Sequence, residues 1–207
     1  MATKCPQIKN SLTIHSKLGS SRRLGHHRHP RTVARPLQQL QRLPLLHVLY
    51  PSNHFTYDSP HTRSLLLINT NISTDAYFQL DILSSYITAI QILGLHGPMF
   101  IFNIYNDCHH NDSLTITNNY LSAHPPTPLD TLLWLGDFNR HHPLWESPNN
   151  RHFNSSEDSV HPLLDLLRDY DLELALPLGI PTFETSMHNW TRPDNVWLSH
   201  HALNLII

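Results

Sequence analysis

The sequence predicts an α/β fold in which packed sheets are covered by helices, and three observations carry that prediction. After Tyr50 the chain breaks into short apolar runs separated by polar turns, the pattern of strands. Two of the runs, Phe100-Ile-Phe-Asn-Ile-Tyr105 and Leu132-Leu-Trp-Leu135, are nearly continuous, as strands covered on both faces are. Two further segments have helical apolar spacing and supply the covering layer.

In chain order, the strands are expected at residues 62–69, 86–93, 99–105, 131–135 and 195–198. The first helix is expected over residues 114–123. The second is expected over residues 158–171, where Val160, Leu163, Leu164, Leu167 and Tyr170 share one face. Pro162 falls in its first turn, where a missing N–H costs little.

Ahead of these elements the chain has a different character. Residues 1–46 hold nine of the 14 Lys and Arg and none of the 16 Asp and Glu. From residue 47 onward there are five Arg, no Lys and all 16 acids, a formal net charge of −11 with His neutral. The basic stretch shows no sustained period, so a poorly ordered segment is expected there. Two cysteines, Cys5 and Cys108, are too few for a disulfide framework, which makes a reduced intracellular compartment the default. No apolar run approaches the roughly 18 residues needed to cross a bilayer, and the basic N-terminus lacks the apolar stretch of a signal peptide. No membrane and no obvious protein partner are therefore expected.

The strongest chemical feature is Leu132-Leu-Trp-Leu-Gly-Asp-Phe-Asn139. An apolar strand ends at Gly136, and the emerging chain sets Asp137 and Asn139 two residues apart on one face. A carboxylate there can ligate a hard cation or orient a water, and the amide can hold a phosphoryl oxygen. Gly, Asp and Asn are also ordinary turn formers.

This segment, continued as Arg140-His-His-Pro-Leu-Trp145, resembles the phosphodiesterase motif of the endonuclease/exonuclease/phosphatase (DNase I-like) superfamily, and most closely the endonuclease domain of non-LTR retrotransposons. Two further segments match in order: Asn103-Ile-Tyr-Asn-Asp107, and Thr191-Arg-Pro-Asp-Asn-Val-Trp197, approached through Pro181-Thr-Phe183. The resemblance covers about residues 47–207. It implies a four-layer α/β sandwich, two packed and mostly antiparallel sheets flanked by helices, that cuts DNA with Mg2+ or Mn2+, acting in the nucleus. It also implies roles: Asp137 orients or deprotonates the attacking water, Asn139 binds the phosphate, and Tyr105 gives its hydroxyl to a phosphate oxygen. Asp194 orients a catalytic histidine. Thr182 and Arg192 are substrate-side candidates.

Three of the family's residues are not found. No glutamate precedes Glu146, so the metal-binding glutamate of a Gln-Glu-Pro motif is missing, and no metal ligand is assigned. The asparagine of the first strand is also missing, and Gln7-Ile-Lys-Asn10 is only a distorted echo of its motif. The late histidine is missing too, since His200 and His201 sit too close to Asp194 to fill its place. A partial domain, truncated at both ends, with low activity and poor stability is therefore expected.

Arg23-Leu-Gly-His-His-Arg-His-Pro-Arg-Thr32 can be encoded so that a shift of one base reads Ala-Trp-Asp-Ile-Ile-Ala-Ile-Gln-Glu-Pro. Residues 22–46 are accordingly expected to be out of frame, which the codons of the locus would test. The rival reading is a catalytically dead remnant whose basic N-terminal arm binds nucleic acid through its nine cations. The 18 histidines do not suggest zinc, because adjacent pairs on an extended chain point to opposite faces and no Cys or carboxylate completes a ligand set.

Overall fold

The computed structural model describes residues 45–54, 61–94, 97–148, 150 and 156–205. The expectations for residues 1–44, including the out-of-frame segment and the basic arm, lie outside the described residues. The fold is mixed α/β. Strands β1 (Leu46–Leu49) and β2 (Leu66–Asn69) pair antiparallel as a separate two-stranded ladder. The central sheet has six strands in the order β3 (Tyr77–Gln79), β4 (Ile87–Gly94), β5 (Gly97–Tyr105), β6 (Thr131–Asp137), β10 (Asp194–Ser199) and β7 (Leu172–Leu174). Helix α1 (Asp112–Ala123) links β5 to β6, the one parallel pair among the described residues, as a parallel connection requires. Helix α2 (Glu157–Asp169) follows β6, and a short ladder of β8 (Phe183–Glu184) and β9 (Trp190–Thr191) precedes β10.

The two faces of the sheet differ. Phe102, Trp134 and Trp197 are register partners on one face, where they pack with Leu114 and Leu121 of α1 and with Val160, Leu163 and Leu167 of α2. On the other face Ile101, Leu133, Leu135 and Val196 are only half-buried. The expectation of strands buried on both faces therefore holds fully at Phe102–Tyr105, the end of β5, and not along its whole length.

Both expected helices form, with shifted ends. Helix α1 starts at Asp112. Helix α2 starts at Glu157 and stops at Asp169, because Asp171 adopts φ +49, a left-handed conformation that no helix continues through. Pro162 consequently lies in the second turn of α2, not the first, where it withholds a backbone donor from the Asp158 carbonyl. Residues 62–65, expected as strand, lie outside the β2 ladder and are pinned by side chains: Ser64 Oγ donates to the Asn103 carbonyl at 2.8 Å, and Asn103 Nδ2 donates to the Leu65 carbonyl at 2.8 Å. No helix among the described residues is long and apolar enough to cross a membrane.

Candidate active site

The register of the sheet brings three of the candidate residues into one row. Tyr105 at the end of β5 is the partner of Asp137 at the end of β6, and Asp137 is the partner of Asp194 at the start of β10. Directly opposed residues project from the same face, so the phenol and two carboxylates stand side by side across three strands. Their face is the one that the α1 and α2 helices leave open.

Gly136 makes this row possible. Its φ is +135, and a Cβ at that position would stand 2.1 Å from the Ile104 carbonyl oxygen on β5. Only glycine lets the strand turn there and approach its neighbour so closely. The chain then makes an Asx turn, in which the Asn139 N–H donates to Asp137 Oδ1 at 3.0 Å, and this supports Asn139 at φ +48. Asn139 Nδ2 donates to the Asn106 carbonyl at 2.8 Å.

Asn106, to which the sequence assigned no role, is the hub of this end of the sheet. It is fully buried; its N–H donates to the Asp137 carbonyl at 2.8 Å, and its Nδ2 donates to the Phe138 carbonyl and to Asn111 Oδ1, each at 3.2 Å. Ser113 at the start of α1 donates to Asn106 Oδ1 at 2.7 Å. Its position directly after Tyr105, at the end of an apolar strand, is the one sequence signal that could have marked it.

Two arginines are architectural. The Arg140 guanidinium, 2% exposed, donates to the carbonyls of Asp107, His110, Asn139 and Ser159, clasping the loop after β5 to the start of α2. Arg192, 1% exposed, donates through Nη1 to the Pro177 carbonyl at 2.6 Å, with Nε and Nη2 buried and unbonded. Burial lowers the proton affinity of both guanidinium groups. Thr182 is exposed, and its Oγ accepts the Asp194 N–H at 3.3 Å. The structure thus brings Tyr105, Asp137, Asn139, Asp194 and Thr182 to one end of the sheet, while the Arg192 guanidinium is buried and bonded to the Pro177 carbonyl.

The electrostatics of the row follow from its half-dry setting. Burial pushes the Asp194 carboxyl up from the ordinary value, against the opposing hydrogen bond with Thr182. Burial likewise raises the Tyr105 phenol, with Asp107 and Asp137 adding to the rise and Arg63 opposing it. Among the described residues no histidine bonds Asp194. His200 and His201 lie in the 3-10 turn beyond the far end of β10, and His200 Nδ1 pairs with Glu173 at 2.7 Å. At about 3.3 Å per residue the six-residue strand carries them roughly 20 Å away.

Glu146 is nearly inaccessible at 2% exposure and is fully engaged. It accepts from His141 Nδ1 at 2.6 Å, from Asn150 Nδ2 at 3.1 Å and from the Arg192 N–H at 3.0 Å. Burial would raise its pKa, yet these hydrogen bonds outweigh burial and hold it below the ordinary glutamate value. No three His, Cys, Asp or Glu among the described residues come together as ligands for a metal ion. The described part of the site does not by itself make a cation cage.

The chain belongs to the endonuclease-reverse transcriptase family, whose profile matches residues 99–205, more than half of the chain. This places it in the endonuclease/exonuclease/phosphatase, DNase I-like superfamily. Among solved structures, the endonuclease domain of TRAS1, a telomere-specific non-LTR retrotransposon, superimposes with a TM-score of 0.58 at 15% identity, covering 77% of this chain and 69% of that one. An endonuclease/exonuclease/phosphatase family protein from Leptotrichia buccalis gives a TM-score of 0.42 at 12% identity, with coverage of 78% and 64%. The catalytic domain of Xenopus laevis APE2 gives 0.39 at 13%, with coverage of 58% and 48%. No curated protein matches the sequence.

Proposed function

We propose that residues 47–207 are an endonuclease domain for DNA phosphodiesters, that a divalent cation is the cofactor its ancestry implies, and that hydrolysis by this chain is impaired. The observation that carries the reading is the row Tyr105, Asp137, Asp194 with Asn139 beside it, held at the end of three adjacent strands. Such a row suits phosphodiester cleavage, because phosphoryl chemistry needs positioned donors and an oriented water more than covalent help. Asp137 accepts the proton side of the attacking water. Asn139, fixed by its Asx turn and by Asn106, presents its amide to a non-bridging oxygen, and the Tyr105 hydroxyl donates to another. Asp194 and Thr182 border the row on the β8–β9 side. The six-stranded sheet and the β1–β2 ladder are read as parts of the two packed sheets of a four-layer sandwich. DNA as substrate sets the nucleus as the place of action.

Two observations support impairment. No glutamate precedes Glu146 in the sequence, and Glu146 is committed to three hydrogen bonds under the site, so it does not stand in for the missing one. His200 and His201 lie at the wrong end of β10 to work with Asp194. Losing a single acid/base group slows a reaction about 10²- to 10⁴-fold.

Supercoiled plasmid incubated with the purified chain in magnesium tests this. The expected result is duplex binding with nicking at background, unchanged in Asp137→Ala. Rapid magnesium-dependent nicking that Asp137→Ala abolishes contradicts the impairment, and a chain that does not bind duplex contradicts the DNA reading.

A further inference from the structure

We propose that Arg63 is the cation that grips the DNA backbone beside the Tyr105–Asp137–Asp194 row, on a phosphate flanking the cut. The proposal rests on the DNA reading above and supplies what that reading lacks, a positive charge at the site. From residue 47 onward the chain has no lysine and five arginines against 16 acids. Arg151 lies outside the described residues. Of the four described arginines, Arg140 and Arg192 are buried and bonded to carbonyls. Arg168 pairs with Asp165 at 3.0 Å and with Asp169 at 3.2 Å on the exposed face of α2.

Arg63 differs from all three. It is half-buried, and its guanidinium makes no ion pair or hydrogen bond among the described residues. Its Cζ lies 5.4 Å from the centroid of the Tyr105 ring. An arginine lying over an aromatic ring keeps its N–H edge available while the ring fixes its plane. That edge forms the planar fork that matches two phosphate oxygens.

The backbone around Arg63 is pinned so that the guanidinium stays on the active face. The Arg63 N–H donates to the Ser85 carbonyl at 2.9 Å. The next residue, Ser64, donates to the Asn103 carbonyl, and Asn103 donates back to Leu65. Asn103 precedes Tyr105 by two residues on β5 and so shares its face. Tyr86 stacks on Tyr105 with ring centroids 6.0 Å apart, and His110 stands edge-on to Tyr86 at 6.0 Å, extending the rim with aromatic surface. Arg63 opposes the carboxylates Asp107 and Asp137 at the Tyr105 phenol, which puts its charge within reach of the reacting region.

The test is a footprint on the full chain. The free protein and its complex with a saturating 12-base-pair duplex, at low salt and without divalent cation, are treated with phenylglyoxal, and modified arginines are located by mass spectrometry. The expected result is that Arg63 reacts in the free chain and is shielded by the duplex, while Arg168 reacts equally in both. Alongside it, Arg63→Gln is expected to weaken duplex binding about tenfold and to lower the salt slope by about 0.9, with Arg63→Lys in between. An Arg63 that is unreactive in the free chain, or equally reactive with and without duplex while other arginines are shielded, overturns the proposal. If no arginine is shielded at all, the DNA reading itself fails and takes this proposal with it.

Discussion

Gly136 concentrates the design of the site in one residue. A methyl group there meets the Ile104 carbonyl oxygen at 2.1 Å on a backbone with φ +135, so Gly136→Ala combines overpacking with a strained conformation. Each contributes about 1–3 kcal/mol, and the substitution is expected to cost about 3 kcal/mol or more, read as a lowered urea midpoint with an unchanged slope. At this scale the sequence was most informative where a backbone rule and a chemical rule coincide. Gly136, Asp137 and Asn139 follow an apolar strand in an order that makes sense both as a turn and as a site, and the structure places them as one unit. It was least informative for arginines. Residue type announces a charge, and nothing in the local pattern distinguishes Arg63, with its free edge, from Arg140 and Arg192, whose guanidinium groups are drawn inward by carbonyls that lie mostly far off in the sequence. Asn106 was hidden for the same reason, because its partners Phe138, Asp137 and Ser113 become neighbours only when β5, β6 and α1 assemble.

Elements were legible where their apolar period was long. Strands β4, β5 and β6 and both helices stand within a few residues of their expected places, whereas β1, β3, β7, β8 and β9, each of two to four residues, carry too little pattern to announce themselves. The loop after β6 behaves as an element in its own right. Trp145 packs edge-on against Trp197 with centroids 5.4 Å apart and donates its indole N–H to the Arg140 carbonyl at 3.0 Å, while Glu146 ties the loop to the Arg192 N–H just ahead of β10. The folded pKa of Glu146 is depressed, so its stabilisation is fully present above the ordinary glutamate value and is lost as pH falls through the depressed one. Glu146→Gln puts an N–H₂ against donors and is expected to cost about 2 kcal/mol at neutral pH. Urea titrations of the two proteins should converge as the pH falls through that window. A difference that does not change with pH contradicts the assignment.

At the scale of the molecule, the sequence shows two regimes of charge and the structure shows two faces of one sheet. The helix-covered face is a closed core of Phe102, Trp134, Leu163 and Trp197. The other face carries the row, where Tyr105 and Asp137 are each 6% exposed and Asp194 is half-buried. Leu176, Leu178, Ile180, Met187 and Trp190 are exposed together along the segment that leads into β10, a liability for solubility in the purified chain. Residues 47–207 carry a formal net charge of −11, so the proposed DNA binding rests on local donors at the row rather than on a general attractive field. The rival reading places all nucleic-acid contact in the nine cations of residues 1–46. Amide chemical-shift mapping of the full chain with a short DNA duplex separates the two most directly. The largest shifts are expected at residues 105–107, 137–140 and 194, around the row; shifts confined to residues 1–46 would contradict the proposed DNA site.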